Sequence, residues 1–101
     1  MSDGNGTSQI EFSDKLGSVM SYLRAEFPAY EIIQVGDNET EVVLQLASSS
    51  HRHVVRVQRS FVEDTPEDEI IARLLGFRLS SVLRDLGDLP VFLTTNGCIF
   101  M

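Results

Sequence analysis

Three runs within residues 31–61, "EIIQV", "TEVVLQL" and "HVVRVQRSF", are rich in β-branched residues, come close to strict alternation, and are joined by the short links "GDNE" and "ASSS". Such runs read as strands, and their spacing predicts a three-stranded meander. Alternation assigns Ile33 and Val35, then Val42, Leu44 and Leu46, then Val55 and Val57 to the face that meets the helices. Ile32, Gln34, Val43, Gln45, Val54, Arg56 and Gln58 take the opposite face.

A helical pattern flanks the meander on each side. Ser8 with Glu11 forms a possible capping box, with Ser13 as the alternative N-cap. Phe12, Leu16, Val19, Met20, Leu23 and Phe27 then share one sector of a helical wheel, and Pro28 ends the run. Thr65-Pro66-Glu67-Asp68 combines an N-cap, a proline whose missing N–H costs nothing in the first turn, and acids at the positive end of the dipole. A second helix is expected from about Pro66 to Leu86, with Gly87 as its stop and Pro90 beyond. "VFLTT", Asn96-Gly97 and "CIFM" read as a closing hairpin on a type I′ turn. The expectation is an α+β two-layer sandwich of order α-β-β-β-α-β-β, with a mainly antiparallel sheet and both helices on one face. Residues 1–8 would be a flexible polar tail and 9–101 a single domain.

Charge narrows the function classes. Fifteen carboxylates against eight Lys and Arg give a net charge of −7, which repels phosphate backbones and anionic lipid. The start, "MSDGNGTSQ", has neither a basic region nor an apolar run, and no apolar stretch approaches the ~20 residues of a bilayer span. The one cysteine, Cys98, permits neither an internal disulfide nor a cysteine metal cluster. These features point to a cytoplasmic chain with no membrane or nucleic acid partner.

The third strand concentrates the basic residues. His51 and His53, two apart, could chelate a metal, but no third ligand is placed by the sequence. Arg52 and Arg56, with His53, form a candidate anion site, set against the plainer reading of a charged strand paired with nearby acids. No nucleophile with a base, paired carboxylates in an apolar setting or glycine-rich phosphate loop is present, so catalytic residues, a resident metal and a cofactor are not assigned.

The second helix carries apolar residues on two sides. Ile71, Leu75, Leu79, Val82, Leu83 and Leu86 form the stripe expected to pack on the sheet. Ile70, Leu74 and Phe77, bracketed by Arg73, Arg78 and Arg84, form a second stripe that either the same chain or a partner must cover. Ile70, Leu74, Phe77 and Arg73 are therefore candidate partner-binding residues, for a protein partner or for self-association as a homodimer. The bare side of the sheet, with Ile32, Val43, Val54 and Phe92 among Gln34, Gln45, Arg56 and Thr94, is a second candidate surface.

Two resemblances rest on element order. The order α-β-β-β-α resembles double-stranded-RNA-binding domains, whose second helix starts with phosphate-binding lysines; here those positions are Glu67, Asp68 and Glu69, which repel a polyanion. The full order and the acidity resemble class I type III secretion chaperones, without their third helix and without a shared motif. That resemblance implies a homodimer that holds extended protein segments. The residues themselves lead to a small acidic protein-interaction module, adaptor-like or chaperone-like. The alternatives are a regulatory domain binding an anionic ligand at the third strand, and a small metal-dependent enzyme using His51 and His53.

Overall fold

The 3.6-residue apolar spacing of the first segment produces α1, Gln9–Glu26, which buries Phe12, Leu16, Val19 and Leu23 along one side. Its C-terminus is closed by Arg84, which donates from Nη2 to the Glu26 carbonyl at 2.8 Å and lies 4.7 Å over the Phe27 ring. The computed structural model describes residues 9–100. The expected tail 1–8, the capping-box residue Ser8 and Met101 lie outside the described residues.

The meander forms as β1 (Glu31–Asp37), β2 (Glu41–Ala47) and β3 (Arg52–Gln58), all antiparallel neighbours. Asn38 fixes the first turn by accepting through Oδ1 from the Thr40 and Glu41 amides at 2.8 and 3.0 Å. Ser48 fixes the second: its amide donates to the His51 carbonyl at 2.8 Å, and its Oγ accepts from the His51 amide at 3.1 Å.

β3 stops at Gln58, where an alternating pattern gives way to the adjacent apolar pair Phe61 and Val62. These belong to a short helix, α2 (Arg59–Asp64), and both are buried. Lys15 reaches across from α1 and donates from Nζ to the Glu63 carbonyl at 3.2 Å, so an otherwise costly buried lysine closes the end of α2.

The expected single helix over 66–86 is two: α3 (Glu67–Phe77) and α4 (Leu79–Leu86). Arg78 between them adopts the left-handed conformation, φ 58° and ψ 43°, and is the only non-glycine residue with positive φ among those described. Its amide donates to the carbonyls of Leu74 and Leu75, ending α3, and the Ser80 amide at the start of α4 donates to the Tyr22 hydroxyl at 3.1 Å. Pro66 rather than Thr65 occupies the N-cap of α3, and Gly87, φ 63°, ends α4 as expected.

The three helices form a connection long enough for β4 (Val91–Thr94) to lie parallel to β3. β5 (Gly97–Phe100) then pairs antiparallel with β4, giving an open five-stranded, mostly antiparallel sheet of order β1-β2-β3-β4-β5. The hairpin exists, but its turn differs from the type I′ expectation. Thr94 pairs with Gly97, so the loop residues are Thr95 and Asn96, and neither has the positive φ that type I′ requires. Gly97 takes the strained angle instead, at φ 124°.

One core joins α1, Phe61 and Val62 of α2, Ile70 and Leu74 of α3, Leu79 and Leu83 of α4, and one face of the sheet. That face presents Ile32, Val42, Leu44, Leu46, Val55, Val57, Val91 and Leu93, all buried. The assignment for β2 and β3 agrees with the alternation, and that for β1 is reversed. Ile32 pairs with Leu46 and points inward, while Ile33 and Val35 are 41% and 50% exposed. A bulge between Gln34 and Gly36 skips Val35 and shifts the phase of the strand, which strict alternation does not anticipate.

Candidate functional site

The sheet face opposite the core carries apolar side chains that no helix of the described chain covers. Strand register sets three rows of side chains across it: Glu31, Ala47 and Arg52; Ile33, Gln45 and Val54; and Val43, Arg56, Phe92 and Ile99. Val43, Val54 and Phe92 are half-buried by their neighbours alone, and Ile99 is 49% exposed. Apolar side chains from all five strands, Ile33 of β1 included, thus share one surface.

The middle of that surface holds no free charge. Arg56 donates from Nε to both Glu41 carboxylate oxygens, at 3.1 and 3.0 Å, and from Nη2 to Oε2. The hydrogen bond to Glu41 first, and its negative charge second, hold the guanidinium above its already high ordinary pKa, so Arg56 stays charged. The same guanidinium lies 5.2 Å over the Phe92 ring. Held on two sides, it lies along the sheet as part of the surface rather than standing off it.

At one end the face runs into a groove of about 520 Å³ lined by Ala47, Ser48 to Ser50, His51, Arg52, Val54 and Asp88. Ser50 Oγ and His51 Nδ1 are hydrogen-bonded at 2.9 Å. Arg52 is exposed here, and no ion pair is formed by it among the described residues.

The candidate anion-binding residues are not brought together. Arg52 lies at the groove and Arg56 is neutralised by Glu41. His53 points to the other side of the sheet, where it is buried. There His53 Nδ1 is hydrogen-bonded to the Gly87 carbonyl at 2.8 Å, and the ring packs against Phe27 and Tyr30 at 5.6 and 5.4 Å. His51 and His53 consequently face different surroundings, and among the described residues no three His, Cys, Asp or Glu side chains gather where a metal could sit. No helix described is long and apolar enough to cross a membrane.

The two stripes of the second helix exchange roles in α3 alone; in α4 Leu79 and Leu83 are buried and Val82 and Leu86 pack against the core, as expected. Ile70 and Leu74 are fully buried in the core, and Phe77 is half-buried with its ring 6.1 Å from Phe61. Ile71 and Leu75, assigned to the core by the wheel, are 42% and 57% exposed. Leu79, Val82, Leu83 and Leu86 hold one phase along α4, and the break at Arg78 separates it from the phase of α3. Arg73 is exposed and pairs within its own helix with Glu69 at 3.3 Å. Ile70 and Leu74 therefore present no surface to a partner without opening the core.

Sequence reasoning identified Val43, Val54, Arg56 and Phe92 on the bare face, and missed Glu31, Ile33 and Ile99. Ile99 was legible: a two-residue loop pairs it with Phe92 and so places it on the same side. Cys98, on the opposite parity, is half-buried, and burial pushes its thiol up to about 11. Comparison with known proteins finds no match among family models, curated proteins or solved structures.

Proposed function

We propose that this chain is a non-catalytic protein-binding module whose docking surface is the bare face of its sheet. One observation carries the reading: Ile33, Val43, Val54, Phe92 and Ile99, one from each of the five strands, share this face with no part of the described chain over them. Antiparallel sheets commonly leave one face to water, but those faces are then dominated by polar residues. A contiguous apolar set with its central charge neutralised in place favours contact with protein. The test compares tagged wild type with the Ile33→Thr, Val54→Thr double variant, both isolated from native cells. A stoichiometric protein, second copies included, is expected with wild type and lost from the variant, while the circular dichroism spectra match. Equal recovery from both, or none from either, overturns the reading.

A second reading, binding of an anionic ligand, is favoured by exposed Arg52 beside His51 and three serines in the 520 Å³ groove. It no longer includes Arg56 or His53, and Asp88 on the groove wall opposes it. Inorganic phosphate should raise the melting temperature of wild type and leave Arg52→Ala unmoved; no shift with wild type removes this reading.

A further inference from the structure

We infer that the occupant of the bare sheet face is a second copy of this chain, related by a two-fold axis that runs along β2 and brings Glu31 of each copy against Arg52 of the other. The inference rests on the protein-binding reading and adds to it the partner and the geometry. Its basis is the first row across the sheet. Glu31 and Arg52 both pair in register with Ala47, one from each side, so they stand at the same height on the strands flanking β2 and at the same distance from it. Both point to the bare face, since their neighbours Ile32 and His53 point to the core, and both are exposed.

Two sheets packed face to face with roughly aligned strands are a favoured arrangement. A two-fold axis along β2 then carries β1 of one copy over β3 of the other. The glutamate of each copy meets the arginine of its mate, twice, which is the self-complementarity that a closed dimer requires. The next row obeys the same operation: Ile33 falls against Val54, and Gln45 against Gln45, where two amides can exchange donor and acceptor. Ala47, small and on the axis, allows close approach.

Charge also favours this occupant over a polyanion or a strongly basic chain. The bare face carries Glu31 and Glu41 against Arg52 and Arg56, so it is balanced, while the whole chain is at −7. At physiological salt, screening over about 8 Å suppresses repulsion between the distant acids and leaves the facing pairs. Three strands of about 23 Å at about 4.8 Å spacing give a flat footprint of roughly 330 Å² per copy. That is below the ~1,200 Å² total of stable complexes, so the dimer should be weak and concentration-dependent.

Sedimentation of the full chain at physiological salt across a concentration series tests this with a charge exchange. Wild type should show a reversible monomer–dimer equilibrium. Glu31→Arg and Arg52→Glu should each weaken it by at least about tenfold, and the double variant Glu31→Arg, Arg52→Glu should restore it. Leu75→Glu, on the exposed side of α3 and off the sheet face, should leave it unchanged. A dimer indifferent to the single exchanges, or one that the double exchange fails to restore, overturns the two-fold geometry. A monomer at every concentration, in a chain that still retains a different protein through Ile33 and Val54, overturns self-association and keeps the protein-binding reading. A monomer that retains nothing overturns both.

Discussion

The two faces of the sheet are made from much the same residues and have different roles. On β2 and β3 the covered face has Val42, Leu44, Leu46, Val55 and Val57, every one fully buried, and the bare face has Val43 and Val54, half-buried. The difference lies in how polar groups are handled. The covered face of β3 admits one polar ring, His53, and gives it the Gly87 carbonyl and two aromatic neighbours. The bare face admits Gln45 and Arg56, which stay in reach of water, and buries Glu41 against that arginine. A β-branched residue therefore marks a strand without marking its buried side; that depends on which polar groups the covering helices can satisfy.

The sharpest test of this contrast is to replace apolar side chains under the cover and outside it. Leu74→Ala, under the helical cover, should cost about 2–5 kcal/mol by combined loss of apolar burial and cavity formation. Val54→Thr on the bare face should change stability by no more than about 0.5 kcal/mol, and so should Leu75→Gln on the exposed side of α3. Urea unfolding of the isolated proteins measures all three, and comparable costs would mean that both faces are interior. Next in size is His53→Leu, which keeps the packing volume and deletes the bond to Gly87. A fully buried carbonyl left without its partner costs about 1–3 kcal/mol, and the half-buried Gly87 should fall at the low end of that range. A loss smaller than that of Val54→Thr would show that the Gly87 carbonyl finds water instead.

The cover was less legible in the sequence than the sheet it lies on. Residues 42–57 were readable because two short turns, held by Asn38 and Ser48, confine two strands to one register. β1 was misread because nothing in "EIIQV" announces the bulge after Gln34. The helix over 66–86 reads as continuous because the break falls two residues past Gly76, which stays helical: the left-handed position is Arg78, a residue that adopts it at a cost. Only the misfit between two apolar phases, Ile70 and Leu74 against Leu79 and Leu83, records the change of direction, and on a single helix the phase of Ile70 and Leu74 reads as a docking stripe. The physical claim is testable at Arg78 itself. Arg78→Gly should stabilise the fold by up to about 1 kcal/mol, as strain relief exceeds the added freedom of the unfolded chain. A loss of stability would mean that the arginine side chain contributes contacts outweighing its backbone strain.

The smallest effect is expected at the boundary between the two faces. Cys98 pairs with Leu93 and so belongs to the covered parity, but it sits on the last strand and is only half-buried. Burial raises its thiol from the ordinary 9.0 to about 11. Between those values the unfolded chain releases a proton that the folded chain retains, so stability should fall as pH rises from about 9 towards 11 and be untouched below 9. Partial access to water keeps this slope shallow. Comparing wild type with Cys98→Ala isolates it: the difference in unfolding free energy between them should drift against wild type above pH 9 and be flat below. Iodoacetamide at pH 8 gives an independent reading, because a thiol held protonated reacts more slowly than the same thiol in the unfolded chain. Equal rates in folded and urea-unfolded protein would show that the closing hairpin opens freely, and that the covered face ends at β4.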